Sequence, residues 1–428
     1  MGECVSPEYP APALSADDGQ ERAGSGRRSR ILLVHNYYQF AGGEDAVVAN
    51  EKALLIQNGH DVSQYSVDNH DIVDLVDKAR VFLDVPYSKP SRDAFARHLD
   101  EVRPDIVHVH NFFPLLTTSI YDACKAAGVP VVQTLHNFRI TCAGALLQRA
   151  GKLCEKCVEG SPYWGVIHRC YRNSVAGSFA VARMIEANRR AGTWSTKVDC
   201  FVALSETAKS RYVRAGVPAE RIVVKPNFAP DPGERQLGAR HGALFVGRLS
   251  AEKGGDVLLT AWQSVDYPLR IAGDGPQAQQ LRIRAPANVT FLGQISPQDV
   301  RREMAAAAVL IMPSTCLEAF PLVLAEAFAA GLPVVASDIG ALQEIVEQGV
   351  TGVRVPAGRP DALAAAVNGL IGDQEALQAY GKAARRTYLA RYSPSANYQQ
   401  LLSIYERVCP PDTAGTYSPS LRGSQGGL

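Results

Sequence analysis

Short runs of β-branched and aliphatic residues alternate along the chain with longer amphipathic stretches, and glycine marks many of the junctions. Ile31-Leu-Leu-Val-His35 is the first such run. Ala41-Gly-Gly-Glu44 comes next, and Ala46, Val47, Ala49, Ala53 and Leu54 then recur at helical spacing until Asn58-Gly59. The cycle returns at Asp105–Val109, with a helix up to Gly128, and again at Val129–Gln133. A further strand is predicted at Asp199–Ala203, where Ser205 is placed to cap a helix that runs through Arg214 and stops at Gly216. Runs of Val and Ile without polar alternation belong to strands covered on both faces of a sheet, so the first half predicts a doubly wound parallel sheet.

Pro226, Pro230, Pro232 and Gly233 break the pattern and predict a linker. Beyond it the strands Ala243–Gly247, Leu269–Ala272, Asn288–Leu292, Val309–Met312 and Pro333–Ala336 are expected. Helices are expected at Gly255–Trp262, Leu322–Ala330, around Glu344 up to Gly349, Asp361–Leu370, Gln374–Arg391 and Ser395–Val408. The fold class is therefore α/β, with two Rossmann-like doubly wound parallel-sheet domains facing a central cleft, since open parallel sheets bind ligands at the carboxyl ends of their strands. The expected division is a disordered tail over 1–30, a first domain over 31–228 with an insertion at about 140–172, and a second over 229–392. A helix over 393–409 crosses back to the first domain, and a polar tail occupies 410–428.

Composition narrows the class. The chain has 428 residues, 46% hydrophobic and 20% charged, with Lys+Arg 44 against Asp+Glu 43 and a formal net charge of +1. These values suit a folded globular chain and advertise neither nucleic acid nor a polyanion as partner. The longest strongly apolar run, Met304–Met312, has nine residues, too few to span a bilayer at about 1.5 Å per residue. The first thirty residues lack the apolar core of a signal peptide and end in Arg-Arg-Ser-Arg, so a cytoplasmic location is expected.

The chemistry concentrates in the second half. In Pro313-Ser-Thr-Cys-Leu-Glu318-Ala-Phe-Pro-Leu-Val-Leu-Ala-Glu326, one glutamate falls in the loop after a buried strand and the other inside the next helix. A carboxylate at a strand mouth can accept hydrogen bonds from sugar hydroxyls, and one about a turn into the helix can hold a ribose. The backbone of Phe320, Pro321, Leu322 and Val323 opens that helix, whose N-terminus suits a diphosphate. Val246-Gly247-Arg248-Leu-Ser-Ala-Glu-Lys253 sets two cations after the first strand of this half, where they can neutralise a pyrophosphate. Gly273 in Ala272-Gly-Asp-Gly-Pro276 and Gly293-Gln294-Ile295 mark two further loops at the same edge of the sheet. Taken together these loops describe a nucleotide-sugar site.

From about Ile31 to Val408 the sequence resembles the family 4 retaining glycosyltransferases of the GT-B fold, most specifically in Glu318 and Glu326 with seven residues between them. The resemblance implies that Glu318 binds the transferred sugar, Glu326 the ribose, and that Arg248 and Lys253 stabilise the leaving diphosphate. It places Gln294 and Ile295 near the base. Gly42 and Gly43 resemble the first-domain glycine loop that approaches the phosphates, and His136 resembles the histidine beside the donor sugar. Ala319 stands where the family usually has glycine. The implied reaction moves a sugar from a GDP- or UDP-sugar to a hydroxyl of a glycan or a polyprenyl- or lipid-linked acceptor, in cell-surface polysaccharide assembly. It needs no metal cofactor, and the chain carries no Asp-x-Asp motif to hold one. Peripheral association with the inner face of the plasma membrane is part of that expectation. Two other readings stay open: a nucleotide-sugar-binding protein without catalysis, and an epimerase or phosphorylase on the same plan.

Of nine cysteines, Cys142, Cys154, Cys157 and Cys170 fall within 29 residues. The Cys-x2-Cys spacing of the middle pair suits one tetrahedral zinc completed by the outer two, with His168 as an alternative fourth ligand. Reduced thiols and a redox disulfide are the alternatives. Arg139, Arg149, Lys152, Arg169 and Arg172 interleave with Phe138, Tyr163, Trp164 and Tyr171 around them, a mixture suited to a phosphate-bearing or membrane-surface acceptor or to a solvated loop.

Overall fold

The computed structural model describes residues 28–39, 42–233 and 240–410. The tails expected at 1–30 and 410–428 lie outside these residues apart from 28–30 and Pro410. Arg30 already opens the first strand, with its backbone N–H and guanidinium both donating to Asp105.

In chain order the first half supplies β1 (Arg30–Tyr37), β2 (Asp61–Asp68), β3 (Ile106–Asn111), β4 (Val131–Leu135), the two-residue strands β5 (Gln148–Arg149) and β6 (Lys152–Leu153), β7 (Cys200–Ala203) and β8 (Ile222–Val224). The second half supplies β9 (Ala243–Val246), β10 (Leu269–Ala272), β11 (Val289–Gly293), β12 (Val309–Met312), β13 (Val334–Ser337) and β14 (Gly352–Val355). Two six-stranded sheets result, in the orders β2-β1-β3-β4-β7-β8 and β11-β10-β9-β12-β13-β14, and every pair within them is parallel. The strand order reverses between β1 and β3 in one sheet and between β9 and β12 in the other. Those are the two crevices in which a doubly wound sheet binds ligand.

Several elements differ from the sequence expectation. β2, β8 and β14 have no long apolar run, and β2 is an edge strand whose residues stay half-exposed. The helix expected around Glu344 is short, Ala341–Ile345, because Val346 turns extended. The helix from Gln374 ends at Thr387, and Tyr388–Tyr392 continues as a wider π turn that buries both tyrosines. The last helix, Pro394–Val408, returns to the first sheet, where Leu401, Ile404 and Tyr405 pack on Ile31, Leu33, Ile106 and Val202.

The segment between β4 and the helix Val175–Arg190 is unlike the rest. Of the eight described non-glycine residues with positive φ, six (Ala145, Leu147, Ala150, Arg169, Arg172 and Asn173) lie in it. Left-handed backbone costs roughly 1 to 2 kcal/mol per residue, so the surroundings must hold this segment in place.

The halves also touch. Leu317, from the loop after β12, packs into the core of the first half, and Leu204, after β7, into that of the second. Gln148 donates to the Thr315 carbonyl at 2.8 Å, and the Ser205 hydroxyl donates to the Ala319 carbonyl at 2.9 Å.

Candidate active site

On the second sheet the crevice is formed by the loops at the carboxyl ends of β9 and β12. A tight turn, Ala251–Lys253, places Lys253 just ahead of Gly254, whose φ is +76°. A Cβ on Gly254 would sit 2.0 Å from the Pro313 carbonyl oxygen, so this turn and the β12 exit are pressed together and only glycine fits between them. The result is an ion pair: Lys253 Nζ lies 2.6 Å from Glu318 Oε1, with side chains 27% and 12% exposed. The Ser314 hydroxyl donates to the same carboxylate oxygen at 2.9 Å. Burial by itself would lower the Lys253 pKa, but the Glu318 carboxylate outweighs it and holds the ammonium above its usual value. Arg248 stands exposed in the same loop, whose Leu249 N–H donates to the Asp274 carbonyl.

The helix Leu322–Ala329 begins six residues after Cys316, with Pro321 as its N-cap and no side chain capping it. Its first N–H groups are therefore open to an anion. Phe320 is buried and edge-on to Tyr392, so its ring belongs to the core of the second half. Glu326, one turn in, has its pKa raised to about 7 by burial, against the opposing pull of Arg301. With Arg301 and Ala329 it lines a groove of about 1220 Å³ that runs toward Arg240 and Arg385 and whose walls include neither Lys253 nor Glu318. Gln294 and Ile295 come after β11, ahead of the Ser296-capped helix Pro297–Ala306. Gly273 has a structural reason of its own, because a Cβ there would meet the Gly247 carbonyl oxygen at 1.9 Å.

The first sheet contributes a second cluster. Gly42 and Gly43 lead into the helix Gly43–Gln57, and an added Cβ at either would meet no atom of the described residues within 4 Å. Asp45 fixes it, accepting from the Gly42 N–H at 2.8 Å while its other oxygen lies 2.8 Å from His35 Nε2. His136, just after β4, is joined through Nε2 to His110 Nδ1 at 3.0 Å. His110 Nε2 in turn lies 3.3 Å from Glu51 Oε1. Burial lowers the His110 pKa to about 4 and holds His136 well below the usual histidine value, so both rings are neutral near pH 7. Burial alone would raise Glu51, but Lys225 and the histidines keep it ionised, and its pKa falls well below the carboxylate range.

Glu51, His108 and His110 bring three ligand atoms within 4.8 Å of one another. They do not fit a metal. The Lys225 ammonium lies 3.2 Å from the other Glu51 oxygen, and the hydroxyls of Tyr405 and Thr134, each at 2.8 Å, occupy both ring nitrogens of His108. The carboxylate already has its cation, and a second would face repulsion.

The structure therefore brings Lys253 and Glu318 together and joins His136 to His110. Sequence reasoning missed Glu51, Lys225 and Tyr405, which converge on the histidines from 174 and 297 positions apart, a separation no local pattern signals. It also missed Glu44 beside the glycine loop, whose carboxyl burial and Asp45 push up to about 8.

This two-sheet architecture with a phosphate-suited crevice is that of a GT-B glycosyltransferase. Residues 42–227 match the glycosyl transferase 4-like domain, and residues 240–373 match glycosyl transferases group 1. A phosphatidyl-myo-inositol mannosyltransferase of Mycobacterium leprae is 33% identical over 313 residues, covering 71% of this chain and 74% of that protein. An exopolysaccharide phosphotransferase of Streptomyces coelicolor is 38% identical over 201 residues, 44% of this chain but only 21% of that longer protein. The crystal structure of Anabaena HepE in complex with UDP-glucose superposes with a TM-score of 0.64 at 19% identity, covering 89% of this chain and 100% of that one. The chain belongs to the group 1 glycosyltransferases of the family 4 type, and it is a glycosyltransferase that takes its sugar from a nucleotide sugar. Among the described residues no helix is long and apolar enough to cross a membrane.

Proposed function

We propose that the protein is a retaining hexosyltransferase, which moves a sugar from a GDP- or UDP-sugar to a hydroxyl of a glycan or lipid-linked acceptor in cell-surface polysaccharide assembly. The observation that carries this reading is the Lys253–Glu318 pair, with Ser314 on the same carboxylate, set beside an uncapped helix N-terminus at the β9/β12 crevice.

In this reading the diphosphate lies against Lys253, Arg248 and the N–H groups of Leu322 and Val323. Glu318 accepts hydrogen bonds from hydroxyls of the transferred sugar. Gln294 and Ile295 flank the base, Glu326 takes the ribose, and Gly42, Gly43 and His136 close on the donor from the first half. The bond between the anomeric carbon and the β-phosphate oxygen breaks with its electron pair going to the phosphate, where fixed cations and the helix dipole meet the developing charge. The acceptor oxygen forms the new bond on the same face, and its proton passes to the departing phosphate. His136, neutral and fixed through His110, orients a sugar hydroxyl rather than supplying a charge. The cysteine segment and the basic aromatic residues around it face the acceptor.

The test is the anomer released from the donor by slow hydrolysis, read by proton NMR before mutarotation, in the wild type and in Glu318→Gln. Retention in the wild type with a loss of about 100-fold or more in kcat for the variant is expected. An inverted product, or a variant near wild type, overturns the assignment.

A further inference from the structure

Behind His136 lies a chain of buried polar groups. Glu51, on the helix Gly43–Gln57, His108 and His110, on β3, and Lys225, just after β8, are each at most 3% exposed. The two histidines are two apart on their strand, so both turn to the face on which Glu51 lies. One carboxylate oxygen, Glu51 Oε1, is 2.9 Å from His108 Nδ1 and 3.3 Å from His110 Nε2. The other meets the Lys225 ammonium at 3.2 Å. On its far side His110 is joined through Nδ1 to His136 Nε2 at 3.0 Å, with ring centres 5.3 Å apart and planes within 20°, which is how two rings meet edge to edge. His136 is the member of the chain nearest the surface, and its Nδ1 has no hydrogen-bond partner among the described residues.

These contacts fix where the protons lie. The Lys225 ammonium keeps Glu51 ionised and burial keeps His110 and His136 neutral, so each of the two rings has one proton and one lone pair. A lone pair on His110 Nε2 would face the carboxylate at 3.3 Å inside a low-dielectric core, and the two would repel. His110 therefore has its proton on Nε2 and its lone pair on Nδ1. That lone pair can only accept, so the proton between the rings belongs to His136 Nε2, and His136 Nδ1 is left as an acceptor. We infer that Glu51 is a positioning residue, acting through His110 to hold His136 in the single tautomer whose Nδ1 accepts a hydrogen bond from a hydroxyl of the transferred sugar. The sugar contact rests on the placement of His136 beside the donor, whereas the relay from Glu51 to His136 stands without it. In the opposite tautomer an N–H would point at the same hydroxyl and turn its hydrogen away.

The tautomer is read by long-range proton–nitrogen NMR on the full chain labelled at histidine, with His136→Gln identifying the signals of that ring. In the ligand-free wild type His136 should carry its proton on Nε2. In Glu51→Gln the Lys225 ammonium, which can only donate, claims the amide oxygen and turns the amide nitrogen toward His110 Nε2, so the relay reverses. His136 should then carry its proton on Nδ1, and release of nucleoside diphosphate from the donor should slow about tenfold or more. A merely structural Glu51 would lower stability and leave the tautomer as it was. Where the variant does not fold, the wild-type spectrum decides alone. A proton on Nδ1 of wild-type His136, or a folded Glu51→Gln with an unchanged tautomer, overturns the inference. The sugar contact is read separately, with whichever of UDP-glucose, UDP-N-acetylglucosamine and GDP-mannose the wild type hydrolyses fastest. The Nδ1 resonance should move with that nucleotide sugar and not with its bare diphosphate. A resonance that moves with neither overturns the contact and the placement of His136 behind it, while the relay is judged by the tautomer.

Discussion

Glu326 is a carboxyl whose surroundings oppose its charge, and that gives it a pH signature. Its pKa is raised from 4.5 to about 7, burial being the main cause. The folded state therefore favours the protonated form, and this contribution to stability is complete below about 4.5 and lost as the pH rises through about 7. Ribose hydroxyls donate best to the ionised form, so donor binding should strengthen over the same window while the free protein loses stability. Titration calorimetry with nucleoside diphosphate and urea midpoints at several pH values check both trends. Glu326→Gln should flatten each, and a donor affinity that weakens with rising pH would contradict the ribose role. Glu318 and Lys253 were legible in the sequence because each sits a few residues from a strand end, where the strand run and the glycines announce the loop. Their pairing was not legible, since it depends on Gly254 pressing against Pro313 across 59 positions.

At the level of elements, the junction between the halves is a helix terminus capped from the other side. The Glu344 carboxylate, on the short helix Ala341–Ile345, accepts the N–H groups of Glu206 and Thr207 at 2.8 and 2.5 Å. These open the helix Glu206–Arg214, which Ser205 caps while also donating to Ala319 beside Glu318. A carboxylate at a helix N-terminus contributes roughly 0.3 to 1 kcal/mol, up to about 2 where partly buried. Glu344→Gln should therefore raise KM for the donor several-fold while leaving the melting temperature within a few degrees. Steady-state kinetics and calorimetry together measure this, and an unchanged KM would mean that this contact between the halves does not bear on the donor site. The sequence announced Ser205 as a cap because serine before a helical pattern is a local signal. It could not announce Glu344, which lies 138 positions away. β2 escaped notice for another reason: an edge strand with half-exposed faces needs no apolar run.

At the scale of the whole molecule, the chain crosses between halves twice, and both crossings are pinned to one buried ion pair. Lys225 meets Glu51, and its ammonium also donates to Asn397 at the start of the last helix at 3.0 Å. Asn397 in turn donates to the Pro226 carbonyl at 2.8 Å. Farther along that helix the Tyr405 hydroxyl reaches His108. Removing it takes away one hydrogen bond but leaves His108 Nδ1 with Glu51 Oε1 at 2.9 Å, so Tyr405→Phe should destabilise the protein by about 0.5–1.5 kcal/mol, read as a lowered urea midpoint. A midpoint equal to wild type would show that this hydroxyl adds nothing to the docking of the helix. The two-sheet plan was legible because parallel strands are apolar throughout, whereas the polar network beneath them is assembled from residues that no periodicity links.

The central claim is that Lys253 neutralises the departing diphosphate. Its most direct test is the rate of nucleoside diphosphate release from a saturating sugar-nucleotide donor by the wild type and by Lys253→Ala, with circular dichroism confirming that both are folded. A fall of about 100-fold or more in kcat is predicted, as for loss of a group acting where charge develops. A variant that turns over within a few-fold of wild type would contradict it.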